Sequence, residues 1–206
     1  MKQKIDTIIF DLGGVLVDWD PKNVYLKVFN GNVEKTNWFI ETVCTHEWNM
    51  AQDGGRTIEE AVTVKIAEFP QYEELIRIYY NEWHHMFSGI IEENVALFKK
   101  MKDSGKYKIY ALTNWSDEKW DLALELFPFF NSFDGVVVSG KEKTHKPLPE
   151  IYHLILNRFQ INPESTIFID DNPSNIEAAN KFNLHTIHFK SNSNLALDLN
   201  KFGIIF

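Results

Sequence analysis

The sequence is poor in cysteine and in positive charge. Cys44 is the single cysteine among 206 residues, so the chain cannot form an intramolecular disulfide, which fits a reducing compartment. Lysine and arginine number 21 against 29 acidic residues, and the formal net charge is therefore -8. A surface of this sign does not favour binding to nucleic acid or to an anionic membrane.

The chain also lacks a long apolar run, an internal repeat and a low-complexity segment. Its basic start is followed by apolar residues that Asp6 and Asp11 interrupt, so we expect neither a signal peptide nor a membrane span. With 44% hydrophobic residues, the chain can bury one full core, or one core plus a small appended domain. We expect a soluble, cytoplasmic protein, and the sequence leaves its oligomeric state open.

The stretch from residue 7 to residue 17 is the feature around which the chain is organised. Ile8-Ile9-Phe10 is typical of a strand buried on both faces, and Asp11 follows at its carboxyl end. Gly13 and Gly14 then allow a sharp turn close to a ligand. Because ligands bind beyond the carboxyl ends of the strands in an open parallel sheet, Asp11 is a candidate functional residue. The alternative is an aspartate that merely begins a turn.

Strands and helices alternate in the second half of the chain. Strands are predicted at 107–112, 133–138, 166–169 and 185–189, with helices at 91–104, 116–127, 147–159 and after Asn172-Pro173. This alternation predicts an α/β fold with a doubly wound, Rossmann-like parallel sheet.

Residues 18–89 have helical spacing and no convincing strand, with a helix start at Asp20-Pro21. This zone is too long for a crossover between neighbouring strands. The pattern predicts a small helical cap domain at 18–89, inserted into an α/β core domain formed by 1–17 and 90–206. Hinges are expected near Val17 and Gly89.

Polar residues follow three of the predicted strands. They are Asp11, Thr113-Asn114 and Asp170-Asp171, and Lys146 stands just before a predicted helix. Parallel strands end at one edge of the sheet, so these groups should converge on one pocket. Clustered carboxylates attract a hard cation such as Mg²⁺, which also binds water and substrate phosphate. Lysine and threonine supply donors to a phosphoryl group, and an aspartate in line with it can form an aspartyl-phosphate.

These residues resemble the haloacid dehalogenase-like hydrolase superfamily, whose four motifs occur in order and span the predicted core. The matching stretches are Phe10-Asp11-Leu12-Gly13-Gly14-Val15, Leu112-Thr113-Asn114, Lys146-Pro147 and Phe168-Ile169-Asp170-Asp171-Asn172. Within the superfamily the sequence looks most like the sugar-phosphatase group that includes α-glucose-1-phosphate phosphatase. The resemblance implies a magnesium-dependent phosphatase that acts on a small phosphate ester such as a sugar phosphate.

The resemblance also implies roles for single residues. Asp11 would be the nucleophile and a Mg²⁺ ligand, with the carbonyl of Gly13 and the carboxylate of Asp171 as further ligands. Lys146 would act in catalysis and bind the phosphate together with Thr113 and Asn114.

Two more residues would support this machinery without touching the substrate. Asp170 would hold Lys146, and Asn175, one helical turn past Asp171, would stand behind the metal ligands.

One position departs from the pattern of the family. Most phosphatases of this superfamily carry a second aspartate two residues after the nucleophile, and here that position is Gly13. General acid-base catalysis contributes about 10²–10⁴-fold, so the loss restricts the enzyme to good leaving groups or requires a replacement. The candidate replacements are Asp18, His46 and Glu47. The alternative is that Asp18 only belongs to a turn and that His46 and Glu47 are solvated helix residues.

Because the second aspartate is missing, two other functions are alternatives. A 2-haloacid dehalogenase would use the same nucleophile on carbon without a metal, although Asp170-Asp171 would repel its anionic substrate. A catalytically weak phosphate-binding or regulatory protein would explain Gly13, but it has no need of Asp11, Lys146 and Asp171 together.

Aromatic and histidine residues give weaker signals. We expect the tryptophans of the helical zone, Trp19, Trp38, Trp48 and Trp83, in the core and Trp115 at the rim of the pocket. His84 and His85 resemble a metal-binding pair only superficially, because adjacent helical residues point in different directions and one site rarely takes both.

Overall fold

The computed structural model describes residues 4–205, which contain seven strands and eleven α-helices. The strands are β1 (Thr7–Phe10), β2 (Val17–Trp19), β3 (Phe87–Ile90), β4 (Lys108–Thr113), β5 (Gly135–Val138), β6 (Thr166–Asp170) and β7 (His185–His188). Five of them form a parallel sheet in the order β5-β4-β1-β6-β7, with β1 at its centre. The predicted α/β fold with a doubly wound parallel sheet is confirmed.

Alternate residues of the central strands feed two hydrophobic clusters, one on each face of the sheet. Ile8 and Phe10 belong to one cluster, and Ile9 belongs to the other. On the neighbouring strand, Ile167 and Ile169 again face the first cluster and Phe168 the second. Because both faces are covered, these strands are continuous apolar runs rather than alternating ones.

Helices cover both faces of the sheet. Apolar residues of α6 (Glu92–Ser104), α7 (Trp120–Leu126) and α11 (Leu195–Asn200) pack in the first cluster. The helices α9 (Pro149–Arg158) and α10 (Pro173–Asn180) pack in the second cluster. Gly105 ends α6 in the left-handed conformation with a φ of 63°, as predicted.

The helical segment, defined here as residues 20–86, contains five α-helices among the residues the structure describes. They are α1 (Lys22–Val28), α2 (Val33–Thr42), α3 (His46–Asp53), α4 (Ile58–Glu68) and α5 (Glu73–Asn81). The side chains of Thr57 and Glu60 form a capping box at the start of α4. The segment extends the first hydrophobic cluster with aromatic residues such as Tyr25, Phe39 and Tyr79.

One short antiparallel ribbon, made of β2 and β3, brings the two ends of the helical segment together. In β2 and β3, Val17 is paired with Ile90 and Asp18 with Gly89. The expectation of no strand between 18 and 89 is therefore wrong at both ends, because the two partners lie about seventy residues apart in sequence and each is too short to produce a pattern. The division into two domains stays a prediction.

Four predicted helix ends differ from the structure. The helix α7 begins at Trp120, after a 3-10 turn at Asp117–Lys119, rather than at residue 116. The helix α1 begins at Lys22, and Asp20 accepts a hydrogen bond from the Lys22 amide instead of capping one residue earlier. The helix α9 begins at Pro149 rather than at residue 147, and a short unpredicted helix, α8 (Ser139–Glu142), precedes it. Asn183 is left-handed as expected, but α10 already ends at Asn180. In the described part of the chain, no helix has the length and apolar character needed to cross a membrane.

Candidate active site

The strand ends β1, β4 and β6 meet at one edge of the sheet, where they face the helical segment across a cavity of about 310 Å³. From the side of the sheet the cavity is lined by Asp11, Gly13, Gly14, Asn114, Trp115, Ser116, Lys146, Pro147, Asp171, Asn172 and Asn175. From the other side it is lined by Trp19, His46, Asn49, Met50, Asp53, Tyr80, Trp83 and Phe87. Most of the predicted site residues are thus brought together.

Lys146 is the buried centre of this site, with an exposed fraction of 1%. Its Nζ lies 2.8 Å from Asp11 Oδ1 and 2.7 Å from Asp170 Oδ2. Burial by itself would lower the pKa of Lys146, but the two carboxylates outweigh that effect and raise it. The ammonium group is therefore held in its charged form between the two aspartates.

Asp170 has no exposed surface, and its carboxylate is fully engaged. Oδ1 accepts hydrogen bonds from the Asn172 amide at 2.8 Å and from Asn175 Nδ2 at 3.0 Å, while Oδ2 accepts from Lys146. Asp170 thus contacts Lys146 directly, and its expected role as a support for the lysine stays a prediction. Asn175, which was expected to support the site without touching the substrate, donates its amide N–H to the carboxylate of Asp170.

Asp11 is buried at the end of β1, and its described hydrogen bonds use one carboxylate oxygen. Oδ1 accepts from the Leu12 amide at 2.7 Å and from Lys146. Burial, reinforced by the nearby charges of Asp170 and Asp171, raises the pKa of Asp11 to about 7, although Lys146 pulls it down. Its Oδ2 remains available to a ligand.

The donor set at this edge fits a hard divalent cation. Carboxylate oxygens of Asp11, Asp170 and Asp171 all lie within 4.8 Å of one another. Partial desolvation by the surrounding atoms, followed by the charge of Asp170, raises the pKa of Asp171, and a bound divalent cation would oppose that shift. Asp171 is exposed and does not contact Lys146, which leaves its carboxylate free to bind such an ion. An all-oxygen set with few protein ligands suits Mg²⁺.

The two glycines after Asp11 have different roles. Gly14 has a φ of +70°, and a Cβ there would overlap the carboxylate of Asp171, so only glycine fits this position. A Cβ on Gly13 would meet no atom within 4 Å, and Gly13 is not left-handed. The position that lacks the family's second aspartate therefore has room for a side chain.

Thr113, the last residue of β4, and Asn114, which follows it, have different surroundings. Thr113 is fully buried, and its hydroxyl has no hydrogen-bond partner among residues 4–205. Asn114 lies in the cavity wall, but its amide binds the backbone of Lys146 in both directions, accepting from N at 2.8 Å and donating to O at 2.9 Å. Asn114 thereby fixes the loop that carries Lys146, which sequence reasoning did not anticipate.

The three expected substitutes for the missing acid are scattered. His46 is exposed and lies in the wall of the cavity. Asp18 is exposed and lines a separate cavity beside Trp19 and Lys190. Glu47 is exposed and lines neither cavity.

The aromatic expectations hold in part. Trp48 is a core residue whose indole donates to the carbonyl of Ala61 at 3.1 Å. Trp19 and Trp83 also line the cavity, and Trp38 is 42% exposed, so the tryptophans are not uniformly core. Trp115 forms a buried wall of the cavity rather than its rim, because it packs against Trp83 at a centroid distance of 5.4 Å.

The expectation for His84 and His85 is wrong. They lie in a short 3-10 helix, Trp83–Met86, and their ring centroids are 3.9 Å apart. Adjacent residues of a 3-10 helix are rotated by about 120° about its axis, so the helix itself does not align the two rings. The side-chain torsions bring them together, and an argument from backbone geometry does not foresee these.

Asp53 is the residue of this site that sequence reasoning missed, since Asp53-Gly54-Gly55 was expected to be only a turn. The structure makes Asp53 the last residue of α3, and it follows His46, Asn49 and Met50 around one face of that helix. The spacing of these four residues, three and four apart, is a helical period that could have identified the face. Which way that face points depends on packing that the sequence does not reveal.

The chain is similar in sequence to known hydrolases. The family of haloacid dehalogenase-like hydrolases matches residues 5–183 of the chain. A phosphorylated carbohydrates phosphatase of Thermotoga maritima is 25% identical over 189 residues, covering 89% of this chain and 84% of that protein. The (S)-2-haloacid dehalogenase 4A of Burkholderia cepacia is 28% identical over 96 residues, covering 47% of this chain and 41% of that enzyme.

Solved structures share the fold. A predicted HAD-like hydrolase from Porphyromonas gingivalis superposes with a TM-score of 0.72 at 21% identity, covering 97% of this chain and 98% of that one. A HAD-family enzyme from Bacteroides thetaiotaomicron, in complex with magnesium and inorganic phosphate, superposes with a TM-score of 0.70 at 24% identity, covering 94% of this chain and 98% of that one.

Proposed function

The chain belongs to the haloacid dehalogenase-like hydrolases, and from this premise we propose that it is a Mg²⁺-dependent phosphomonoester hydrolase. Its substrate is a small phosphorylated metabolite, a sugar phosphate such as glucose 1-phosphate. The observation that carries this proposal is the cluster of Asp11, Lys146, Asp170 and Asp171 at the edge of the sheet.

In this proposal Asp11 is the nucleophile. Oδ1 is fixed by Lys146 and by the Leu12 amide, which turns Oδ2 toward the cavity. Oδ2 attacks the phosphorus, the bond to the ester oxygen breaks, and an aspartyl-phosphate forms on Asp11. Water then attacks that phosphorus, and inorganic phosphate leaves with the carboxylate of Asp11 restored.

The same edge would hold Mg²⁺ through the carboxylates of Asp11 and Asp171 and the carbonyl of Gly13. The bound ion would neutralise the phosphoryl charge as it moves. The chain itself contributes the ammonium group of Lys146, which is kept charged by Asp170 and lies beside the nucleophile.

In this proposal the phosphate is bound by Thr113, Asn114 and Lys146. The buried hydroxyl of Thr113 has no partner in the described part of the chain, and a phosphate oxygen would satisfy it. One amide N–H of Asn114 is used by the carbonyl of Lys146, so the second one serves the phosphate.

Two further donors support a sugar as the remainder of the substrate. The indole N–H groups of Trp19 and Trp115 are buried in residues that line the cavity and have no acceptor among residues 4–205. Hydroxyl oxygens of a sugar would satisfy them, while the rings cover its apolar face. The phosphatase of Thermotoga maritima, whose name specifies phosphorylated carbohydrates, supports the same substrate class.

We assign the helical segment the role of a cap that closes over the substrate. It supplies one wall of the cavity, and the paired strands β2 and β3 connect it to the sheet at Val17 and Gly89. In this proposal residues 18–89 form the cap domain, and residues 1–17 and 90–206 form the core domain.

A 2-haloacid dehalogenase is the second candidate, because half of the chain matches one such enzyme. It would use Asp11 on carbon and need no cation. The three clustered carboxylates argue against it, since they would repel a haloacid anion. A catalytically weak phosphate-binding protein is the remaining alternative, and it rests only on the absent side chain of Gly13.

The test is a panel of sugar phosphates with and without Mg²⁺. We expect phosphate release that a chelator abolishes and that Asp171→Ala also abolishes, with no halide release from 2-haloacids. Halide release that resists the chelator would establish the dehalogenase. Phosphate binding without turnover of any ester would establish the weak binding protein.

A further inference from the structure

The leaving group of a phosphate ester needs a proton, and Gly13 cannot supply it. The cavity wall opposite Asp11 comes largely from the helical segment. Within it, α3 presents one polar face, on which Asp53 is the carboxylic acid. The acid absent from the sheet side of the cavity therefore has a counterpart on the other side.

Asp53 is held close to the catalytic loop. The next residue, Gly54, is packed so tightly against His145 that a Cβ there would lie 3.2 Å from the imidazole Cδ2. His145 immediately precedes Lys146, and the positive charge of Lys146 lowers the pKa of Asp53. The end of α3 is thus docked on the loop that carries the lysine.

A polar network orients the carboxyl group. Asn49 Nδ2 donates to Asp53 Oδ2 at 3.3 Å, and Asn49 Oδ1 accepts from the Tyr80 hydroxyl at 3.0 Å. Tyr80 in turn is bonded to Gln52. These residues belong to α3 and α5, so the direction of the Asp53 side chain is set by the packing of two helices.

We propose that Asp53 protonates the leaving oxygen of the substrate and then serves as the base that activates water. The proposal rests on the phosphatase function proposed above. It would make the acid-base group of this enzyme a residue of the helical segment, so that chemistry is possible only when that segment lies against the sheet.

The proton balance closes over the two steps. When Asp11 Oδ2 bonds to phosphorus, the P–O ester bond breaks, its electron pair stays on the leaving oxygen, and the carboxylic proton of Asp53 converts that oxygen to a hydroxyl. In the second step the Asp53 carboxylate accepts a proton from water as the water oxygen bonds to phosphorus. The bond to Asp11 then breaks, and Asp53 is protonated again.

The electrostatics of Asp53 suit this role. Burial raises its pKa to about 7, while the Ser116 backbone amide and the charge of Lys146 oppose that shift. An acid with a pKa near the operating pH exchanges protons most effectively. The charge of Asp53 also acts on Tyr79 and Tyr80 of α5, and His46 of its own helix lines the same cavity.

The test compares Asp53→Asn with the wild-type enzyme on a series of aryl and alkyl phosphates of increasing leaving-group pKa. We expect kcat/KM for phenyl phosphate and for glucose 6-phosphate to fall about 100-fold or more. The rate with p-nitrophenyl phosphate, whose leaving group tolerates negative charge, should change much less and also proves that the variant is folded. Asp53→Glu should recover part of the lost rate.

Glu47→Gln is the matched control, because Glu47 lies on the same helix but outside the cavity. It should leave the dependence on leaving-group pKa unchanged. An equal loss in Asp53→Asn for all esters, or a change in KM alone, would mean that Asp53 binds substrate and is not the acid. Wild-type enzyme that hydrolyses no ester, p-nitrophenyl phosphate included, would overturn the phosphatase function itself. An active wild type with an unaffected Asp53→Asn would overturn only the role of Asp53.

Discussion

Lys146 and Asp170 form a fully buried ion pair, with Nζ 2.7 Å from Oδ2 and neither side chain exposed. The same Nζ also contacts Asp11. The lysine therefore links the candidate nucleophile to the carboxylate of Asp170, which has no surface exposed to solvent. Removing the lysine would leave two buried carboxylates without a counter-charge.

Lys146→Met should therefore lose both stability and catalysis. We expect unfolding to become easier by about 3–5 kcal/mol near neutral pH, and kcat to fall by about 10²–10³-fold. Lys141→Met is the control, because the Lys141 side chain is 45% exposed and its ion pair with Asp117 is long, at 3.9 Å, and therefore weak. Urea titration and steady-state kinetics on p-nitrophenyl phosphate measure the two effects. Equal stability of both variants would refute the structural role of the Lys146–Asp170 pair.

The left-handed Gly14 gives a prediction about the metal. Gly14→Ala would place a methyl group against the carboxylate of Asp171, so we expect the affinity for Mg²⁺ to fall about 10- to 100-fold. Gly31→Ala is the matched control: Gly31 also has a positive φ, of +79°, but nothing lies within 4 Å of its added Cβ. The Mg²⁺ concentration that gives half-maximal activity should shift in the first variant and stay in the second. Equal shifts in both would point to backbone strain alone.

The raised pKa of Asp53 predicts how stability depends on pH. An acid whose pKa is 3.8 in the unfolded chain and about 7 in the folded one binds more protons when folded. Its contribution to stability is therefore fully present below about pH 4 and is lost as the pH rises toward 7. In the presence of a chelator, the stability of wild type relative to Asp53→Asn should decline across this window. A difference between wild type and Asp53→Asn that stays flat across this window would contradict the shifted pKa.

The open space at Gly13 allows a rescue experiment. Gly13→Asp restores a carboxyl group at the position where the family usually carries one, and the added Cβ meets no atom within 4 Å. In the Asp53→Asn background we expect this change to recover at least about tenfold in kcat/KM for glucose 6-phosphate. Gly13→Asn in the same background should recover nothing. A folded double variant without recovery would show that the leaving oxygen lies beyond reach of residue 13.

The fold and the sheet side of the site were predictable because local patterns fix them. Asp11 and Asp170 each end a continuous apolar strand, and parallel neighbours bring such ends together regardless of what lies between them in sequence. The turn glycines and the helix end at Gly105 are likewise local features.

The remainder of the site depends on packing between distant segments. Asp53 becomes a candidate site residue only when α3 packs beside His145, and no local sequence pattern specifies that contact. The two hydrogen bonds between Asn114 and the Lys146 backbone span 32 residues. The pairing of Val17 with Ile90 is longer still in sequence and involves strands of three and four residues. Such contacts are products of the folded structure, so composition and periodicity do not reveal them.

The most direct test of the central claim is to detect the phosphoryl group on Asp11. Wild-type enzyme mixed with Mg²⁺ and p-nitrophenyl phosphate, quenched in acid during turnover and digested, should yield a phosphorylated peptide containing Asp11 by mass spectrometry. Asp11→Asn should give no adduct and no turnover while keeping its fold. Turnover by wild type with no adduct on this peptide, together with an Asp11→Asn variant that keeps more than a few per cent of the rate, would contradict the covalent mechanism.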